Sequence, residues 1–283
     1  MSTTDFQTFT PTIHHDTYPF IANANHDGRK VFITGASRGI GRATALAFAR
    51  SGASTLILAA RSGLDDIKAE ILSLQPTVEV VLLSLDVTSE ESVDAAVVAV
   101  SKYVSSIDIL INNAGYLEEP SLVKDSNRKE WWRTWEVNTK GTYLVAQAFM
   151  DLVLSSQSKT IVNVSSKGGL YTRRGASAYG TSKAALLRFS EFLDFEYSEQ
   201  GLLVFAIHPG SVSTDLALRL PQSSHSILID KPQLAADTLT WLTERVRSWL
   251  GGRYVSVNWD MAEFESRKDE IVQKDMLKLR LQG

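Results

Sequence analysis

The 283-residue chain predicts a single α/β domain, a doubly wound and mostly parallel sheet of seven strands with helices on both faces. Three observations carry this. Short apolar runs alternate with longer helical stretches from Lys30 onward. The first run empties into a glycine-rich turn that opens a helix. Several runs are apolar without interruption, as strands covered on both faces must be.

The elements follow in order. Val31–Thr34 is a short β-rich run, and Ile40–Arg50 beyond the glycine turn is helical. Thr55–Ala59 is a continuous apolar strand, Leu64–Leu74 a helix, Val78–Leu83 a strand and Glu90–Tyr103 a helix. Ile107–Ile111 is the fourth strand, followed by a long helix over Arg128–Leu154. Thr160–Val164, Ala178–Glu199 and Leu202–Ile207 read strand, helix, strand. Pro232–Trp249 reads as a helix and Tyr254–Val257 as the last strand. Parallel neighbours joined by right-handed crossovers give the doubly wound arrangement. Residues 1–28, polar and broken by Pro11 and Pro19, read as an N-terminal extension; 29–258 form the body, with a substrate loop at 213–230. Residues 259–283 are charged, with apolar positions Ile271, Met276, Leu277 and Leu281. They are expected to form an amphipathic helical tail that packs on the body or a partner chain, or else a solvated one.

Composition excludes several classes. The formal net charge is −3 with no block of like charge, which argues against nucleic acid or an anionic membrane as partner. There is no cysteine, so a disulfide scaffold, a thiolate metal site and a cysteine nucleophile are ruled out. The five histidines form no HxxxH pair, and no metal is expected. Apolar runs such as Val78–Leu85 are strand-sized, and the polar N-terminus lacks a signal-peptide core. A soluble, cytoplasmic protein is the expectation.

The turn after the first strand reads Thr34-Gly35-Ala36-Ser37-Arg38-Gly39-Ile40-Gly41. Glycines there permit positive φ and close approach of a pyrophosphate, and the helix start supplies free N–H groups and a positive dipole end. In isolation such a turn is often only a tight turn. The second strand ends at Ala60-Arg61, where an NAD site would place an acid for the ribose 2′-hydroxyl. With Arg38 in the turn, two guanidinium groups suit a 2′-phosphate, so NADP(H) is expected over NAD(H). Arg61 has the alternative of an ordinary ion pair with Asp65 or Asp66. Asp86, after the third strand, either accepts from the adenine amino group or caps the next helix, for which Ser89 is the better cap.

Tyr179 and Lys183 lie four apart on one helix and share a face. An ammonium beside a phenol favours the phenolate, so Tyr179 is expected to exchange a proton with a carbonyl or alcohol oxygen. Ser166, at the end of the fifth strand, is placed to donate a hydrogen bond to the same oxygen. Lys183 is expected also to hold the nicotinamide ribose. The plain alternatives are a packing tyrosine and a solvated lysine.

Asn112-Asn113-Ala114-Gly115, Asn138, the Ser165-Ser166 pair, Tyr179 with Lys183, Pro209-Gly210 and Thr214 follow the glycine turn in this order. The set resembles the short-chain dehydrogenase/reductase family over roughly residues 30–258. That resemblance implies a Rossmann-type sheet of order 3-2-1-4-5-6-7 and a nicotinamide cofactor. It implies that Gly35, Ser37, Arg38 and Ile40 cover the phosphates, that Arg61 reads the 2′-phosphate, and that Asp86 with Val87 meets the adenine. It places Asn113, Ala114 and Gly115 along the adenosine and Pro209, Val212 and Thr214 at the carboxamide. It also selects Ser166 over Ser165 by the thirteen-residue spacing to Tyr179. The family counterpart of Asn138 fixes a water that links the lysine to solvent. His208, before Pro209, reads as a structural residue at a strand end.

The substrate is expected between loops Tyr116–Arg128, Lys167–Ser177 and Leu216–Ile229, the last suiting a mobile lid over an apolar, polyketide-like metabolite. Arg173 and Arg174 would meet an acidic substrate or remain solvated. Trp135 reads as core, with Trp131 or Trp132 facing the site or a subunit. The family's usual Asp-Gly-Gly ending is replaced here by Val257-Asn258-Trp259-Asp260 and the tail. A similar ending is found among fungal members, many in secondary metabolism. It puts the family's tetramer in doubt, while apolar Leu187, Phe192 and Phe195 on the Tyr179 helix keep a homodimer or homotetramer in view. The expected activity is an NADP(H)-dependent carbonyl reductase or alcohol dehydrogenase acting on a small carbonyl or alcohol. The rivals are a non-turnover NADP(H)-binding regulatory partner, and an imine reductase or cyclase in the same cavity.

Overall fold

A computed structural model describes residues 8–61 and 63–281 of the protein. The first seven residues of the expected extension and the last two of the tail lie outside the described residues. The strands are β1 (Lys30–Thr34), β2 (Thr55–Ala60), β3 (Glu79–Ser84), β4 (Ile109–Asn112), β5 (Thr160–Val164), β6 (Leu203–His208) and β7 (Tyr254–Ser256). They form one sheet in the order β3-β2-β1-β4-β5-β6-β7, and every pairing is parallel.

The helices are α1 (Gly39–Arg50), α2 (Asp65–Leu74), α3 (Glu90–Val100), α4 (Arg128–Trp135), α5 (Gly141–Leu154), α6 (Ser177–Tyr197), α7 (Pro232–Thr243), α8 (Met261–Ser266) and α9 (Lys268–Gln273). Strand side chains alternate between the two faces of the sheet. Val31 and Ile33 therefore join the core under α1 and α7, while Phe32 points the other way, its ring 4.6 Å from that of Phe149 on α5. This places the strand C-termini, where the motif residues sit, along one open edge.

Two expected helices are interrupted. The run over Arg128–Leu154 contains a π-helical turn, Glu136–Lys140, between α4 and α5. Gly141 follows it because α5 presses on the loop after β3: a Cβ there would stand 2.7 Å from Val87 Cγ2. The helix from Pro232 stops at Thr243, and the Arg247 side chain donates to the carbonyls of Trp241 (2.6 Å) and Leu242 (3.2 Å), satisfying groups left open at its end.

The tail packs on the body as two short helices rather than one. Asp260 caps α8 by accepting the Glu263 N–H at 2.9 Å. The segment before β1 clasps it. Thr12 bonds both carboxylate oxygens of Glu263 (3.0 and 2.7 Å), Ile13 bridges Trp259, and the Phe9 ring lies 5.0 Å from the buried ring of Trp259. Ile271 is buried in the tail and Leu281 is fully exposed. On α6, Phe192 and Phe195 are exposed, but Leu187 faces the core, about 140° round the helix from Phe192 five residues on.

Candidate active site

The glycine turn is held from below. Gly35 and Gly39 take φ of 66° and 56°, in the left-handed region that glycine adopts without strain. Asn113, at the end of β4, donates its side-chain N–H to the carbonyls of Thr34 (2.9 Å) and Gly35 (3.2 Å). The Thr34 hydroxyl accepts the backbone N–H groups of Asn113 and Ala114, both at 3.0 Å. Gly41 sits so close that a Cβ would stand 2.3 Å from the Gly35 carbonyl oxygen. Asn113 therefore acts as a strut beneath the turn. Asn112, beside it, belongs to the core, donating to Asn163 at 2.9 Å.

Above the turn lies a cleft of about 1210 Å³. Gly35, Ser37, Arg38, Ile40, Arg61, Asp86, Val87, Asn113, Ala114, Gly115, Pro209 and Thr214 all line it; Val212 lies next door. Its volume, its glycine floor and the start of α1 fit a dinucleotide. Arg38 pairs with Asp215 at 2.6 Å, both largely exposed, so that pair holds little energy and can yield to a phosphate. Arg61 is exposed and makes no ion pair with Asp65 or Asp66. Asp86 does not cap α3; Ser89 does, accepting the Ser92 N–H at 3.1 Å. The Asp86 carboxylate accepts the backbone N–H and the hydroxyl of Thr88, which with Arg61 nearby hold it below the usual carboxylate range.

Tyr179 and Lys183 share a face of α6 at the end of β5, but not as a bonded pair. The Lys183 ammonium donates to the Val164 carbonyl at 2.8 Å and lies 5.8 Å from the centre of the Tyr179 ring. Lys183 is only 4% exposed, and that burial lowers its pKa to about 7. The Tyr179 phenol is pushed up, chiefly by burial, with Ser166 opposing and Glu118 adding to the rise. The ammonium is directed to the Val164 carbonyl rather than to the phenol, and burial disfavours the charged phenolate. Ser166 accepts the Gly168 N–H at 3.0 Å, so its own proton is left to donate, and it sits near enough to the Tyr179 hydroxyl to favour its ionised form. Ser165 is turned inward and donates to the Lys183 carbonyl at 2.7 Å.

Asn138 lies buried in the π-helical turn. Its side chain accepts the Tyr116 N–H (2.8 Å) and donates to the Tyr116 carbonyl (2.9 Å) and the Ser182 hydroxyl (3.0 Å). It thus ties the loop after β4 to α6, between Tyr179 and Lys183.

A second cavity of about 520 Å³ adjoins the cleft. Ser166 lines it, and so do apolar Leu117, Leu170, Leu220 and Leu228. Tyr179 lines both spaces. The loop over the second cavity forms two short 3-10 turns, Ala217–Arg219 and Gln222–Ile227. Arg173 bonds Ser224 at 2.6 Å and so joins this loop to the one after β5. Trp132 is exposed and lines the larger cleft, while Trp131 bonds the Ser177 hydroxyl at 3.0 Å.

Sequence reasoning missed Glu118. It is buried, accepts the Tyr179 N–H and the Thr134 hydroxyl, and lines the second cavity. No spacing marks it, since its partners lie sixty-one residues on and sixteen residues on.

The comparisons agree with this geometry. Residues 29–224 match the family model described as short chain dehydrogenase. The short chain dehydrogenases mpl6 of Monascus purpureus and citE of Monascus ruber are each 50% identical over 275 residues, covering 95% of this chain and 94% of theirs. A solved short-chain type dehydrogenase/reductase from Mycobacterium marinum superposes with a TM-score of 0.75 at 25% identity, over 83% of this chain and 95% of its own. A 3-ketoacyl-(acyl-carrier-protein) reductase from Brucella melitensis, solved with NADH, gives 0.74 at 26% identity over 82% and 98%. With its sheet order and its glycine turn in place, and with relatives 50% identical over 95% of its length, the chain belongs to the short chain dehydrogenase family of oxidoreductases.

Proposed function

We propose that the protein is an NADP(H)-dependent reductase of a small, largely apolar carbonyl metabolite, polyketide-like in character, and that it works in the cytoplasm. The observation that carries this is the position of Tyr179 on the wall between the large cleft and the second cavity. A hydride donor in the first and a carbonyl in the second would meet at its hydroxyl.

When bound, the nicotinamide supplies the hydride. Tyr179 gives its phenolic proton to the substrate oxygen, and Ser166 donates a second hydrogen bond there as charge develops. Lys183, buried with a pKa of about 7, can carry or release a proton at neutral pH and would hold the nicotinamide ribose. Asn138 positions the Tyr116 loop against α6. We assign Gly35, Ser37, Arg38 and Ile40 to the phosphates, Asp86 and Val87 to the adenine, and Asn113, Ala114 and Gly115 to the adenosine wall. Pro209, Val212 and Thr214 are assigned to the carboxamide. Ala60 followed by the exposed Arg61 supports a 2′-phosphate, since a carboxylate there would repel one.

Among the described residues no helix is long and apolar enough to cross a membrane. Exposed Tyr143, Phe192 and Phe195 on α5 and α6 support a homodimer through that face; a monomer in light scattering would count against it.

The test is Tyr179→Phe, assayed by NADPH oxidation with a panel of ketones, aldehydes and quinones. Turnover should fall by about a hundredfold or more, with NADPH affinity changed little. Full activity in that variant would overturn the assignment.

A further inference from the structure

A side chamber of about 140 Å³ adjoins the second cavity, and the two share Lys167, His208, Ser211 and Ile227 in their walls. His208 ends β6 and is 4% exposed. Neither of its ring nitrogens has a hydrogen-bond partner among the described residues. Burial, with Lys167 adding to it, lowers its pKa to about 3. The ring is therefore neutral, with one N–H to donate and one lone pair to accept. Folded proteins seldom leave such buried atoms unpaired.

Lys167 is half-buried beside it. Its ammonium makes no hydrogen bond or ion pair among the described residues, and burial lowers its pKa while Asp230 opposes the fall. Asp230 is not its mate. One Asp230 oxygen is bonded to His15 Nδ1 at 2.6 Å and the other accepts the Ser211 N–H. The chamber thus offers a half-buried cation and a buried N–H donor, neither with a side-chain partner among the described residues, beside a carboxylate already engaged. An anionic oxygen would take a charge-assisted bond from the ammonium and satisfy the His208 N–H, whereas a neutral ligand gains no charge pairing from Lys167.

We propose that this chamber anchors an acidic oxygen group of the substrate, a carboxylate or an ionised phenol, with Lys167 as its counter-ion and His208 as its hydrogen-bond donor. This rests on the reading of the second cavity as the substrate site. The substrate then carries its carbonyl toward Ser166 and Tyr179 and its acid at the far end, with an apolar portion against Leu220 and Ile227.

The experiment is titration calorimetry of the full chain with NADP⁺ present, using 4-ethylbenzoate, its methyl ester, and 4-nitrophenolate at alkaline pH as probes. The benzoate or the phenolate should bind about tenfold or more tightly than the ester, and the two anions distinguish the source of the acidic oxygen. Lys167→Gln should erase the preference and Lys167→Arg should keep it. His208→Leu should weaken the anion alone. If that buried variant does not fold, the half-buried Lys167 pair decides. Equal binding of acid and ester, a preference that survives Lys167→Gln, or no binding of any probe would overturn the proposal. Binding requires no hydride transfer, so a protein that takes the acid but reduces no carbonyl would sink the reductase assignment and leave the subsite standing.

Discussion

The Glu118 carboxylate accepts the backbone N–H of Tyr179 at 3.2 Å, while its other oxygen accepts the Thr134 hydroxyl at 2.8 Å. Helix α6 has no side-chain cap at Ala176, so Glu118 serves one of the N–H groups left open at its first turn. It ties the helix bearing Tyr179 to α4. Glu118→Ala should cost about 1–3 kcal/mol, the usual range for stranding buried partners. It should lower kcat more than it raises KM, because Tyr179 is displaced. Glu118→Gln keeps an acceptor and should restore most of both. Thermal melts and steady-state kinetics check this; an Ala variant that matches the parent in both would exclude the role.

Gly41 has no room for a side chain beside the Gly35 carbonyl. Gly41→Ala should open the turn, lower stability by about 1–3 kcal/mol as overpacking does, and weaken cofactor binding at least tenfold. Fluorescence titration with NADPH measures it, and unchanged affinity would show that the cradle is not where the pyrophosphate lies.

Arg61 at the end of β2 is exposed and Arg38 is held by Asp215. Arg61→Asp should reduce the ratio of kcat/KM for NADPH over NADH by about tenfold or more, a loss of roughly 1.4 kcal/mol in discrimination. Asp215→Asn should raise NADPH affinity modestly, most at low salt, because it frees Arg38. A ratio that does not move in Arg61→Asp would argue for NAD(H).

Lys183 has a folded pKa of about 7, below its ordinary value of 10.5. The fold therefore disfavours its charged form. Below pH 7 that burden is complete, and it shrinks as pH rises from 7 toward 10.5, where both states are neutral. Lys183→Met should raise the melting temperature of the cofactor-free protein most at pH 6, with the gain fading by pH 9.5. The same gain at both values would show that the lysine is not desolvated.

Much of this was legible in the chain. The β and α alternation and the uninterrupted apolar strands predicted the sheet, because a strand covered on both faces leaves that trace in composition. The spacing from the glycine turn to Tyr179 and Lys183 pointed to the candidate site, since helix periodicity puts i and i+4 on one face. Spacing did not reveal the break at Glu136–Lys140, nor the close packing of the adjoining Gly141 on Val87 across the fold.

The sequence by itself determined the sheet, the family and the residues at the strand ends, because local periodicity and motif order are properties of neighbouring positions. Only the tertiary structure decided which way each side chain acts. It sent the Lys183 ammonium to the Val164 carbonyl, made Asn113 a strut, brought Glu118 to Tyr179, and set Lys167 beside a buried His208 whose ring has no partner among the described residues. These outcomes depend on burial and on contacts between distant segments. Desolvation and long-range hydrogen bonding have no signature in residue spacing.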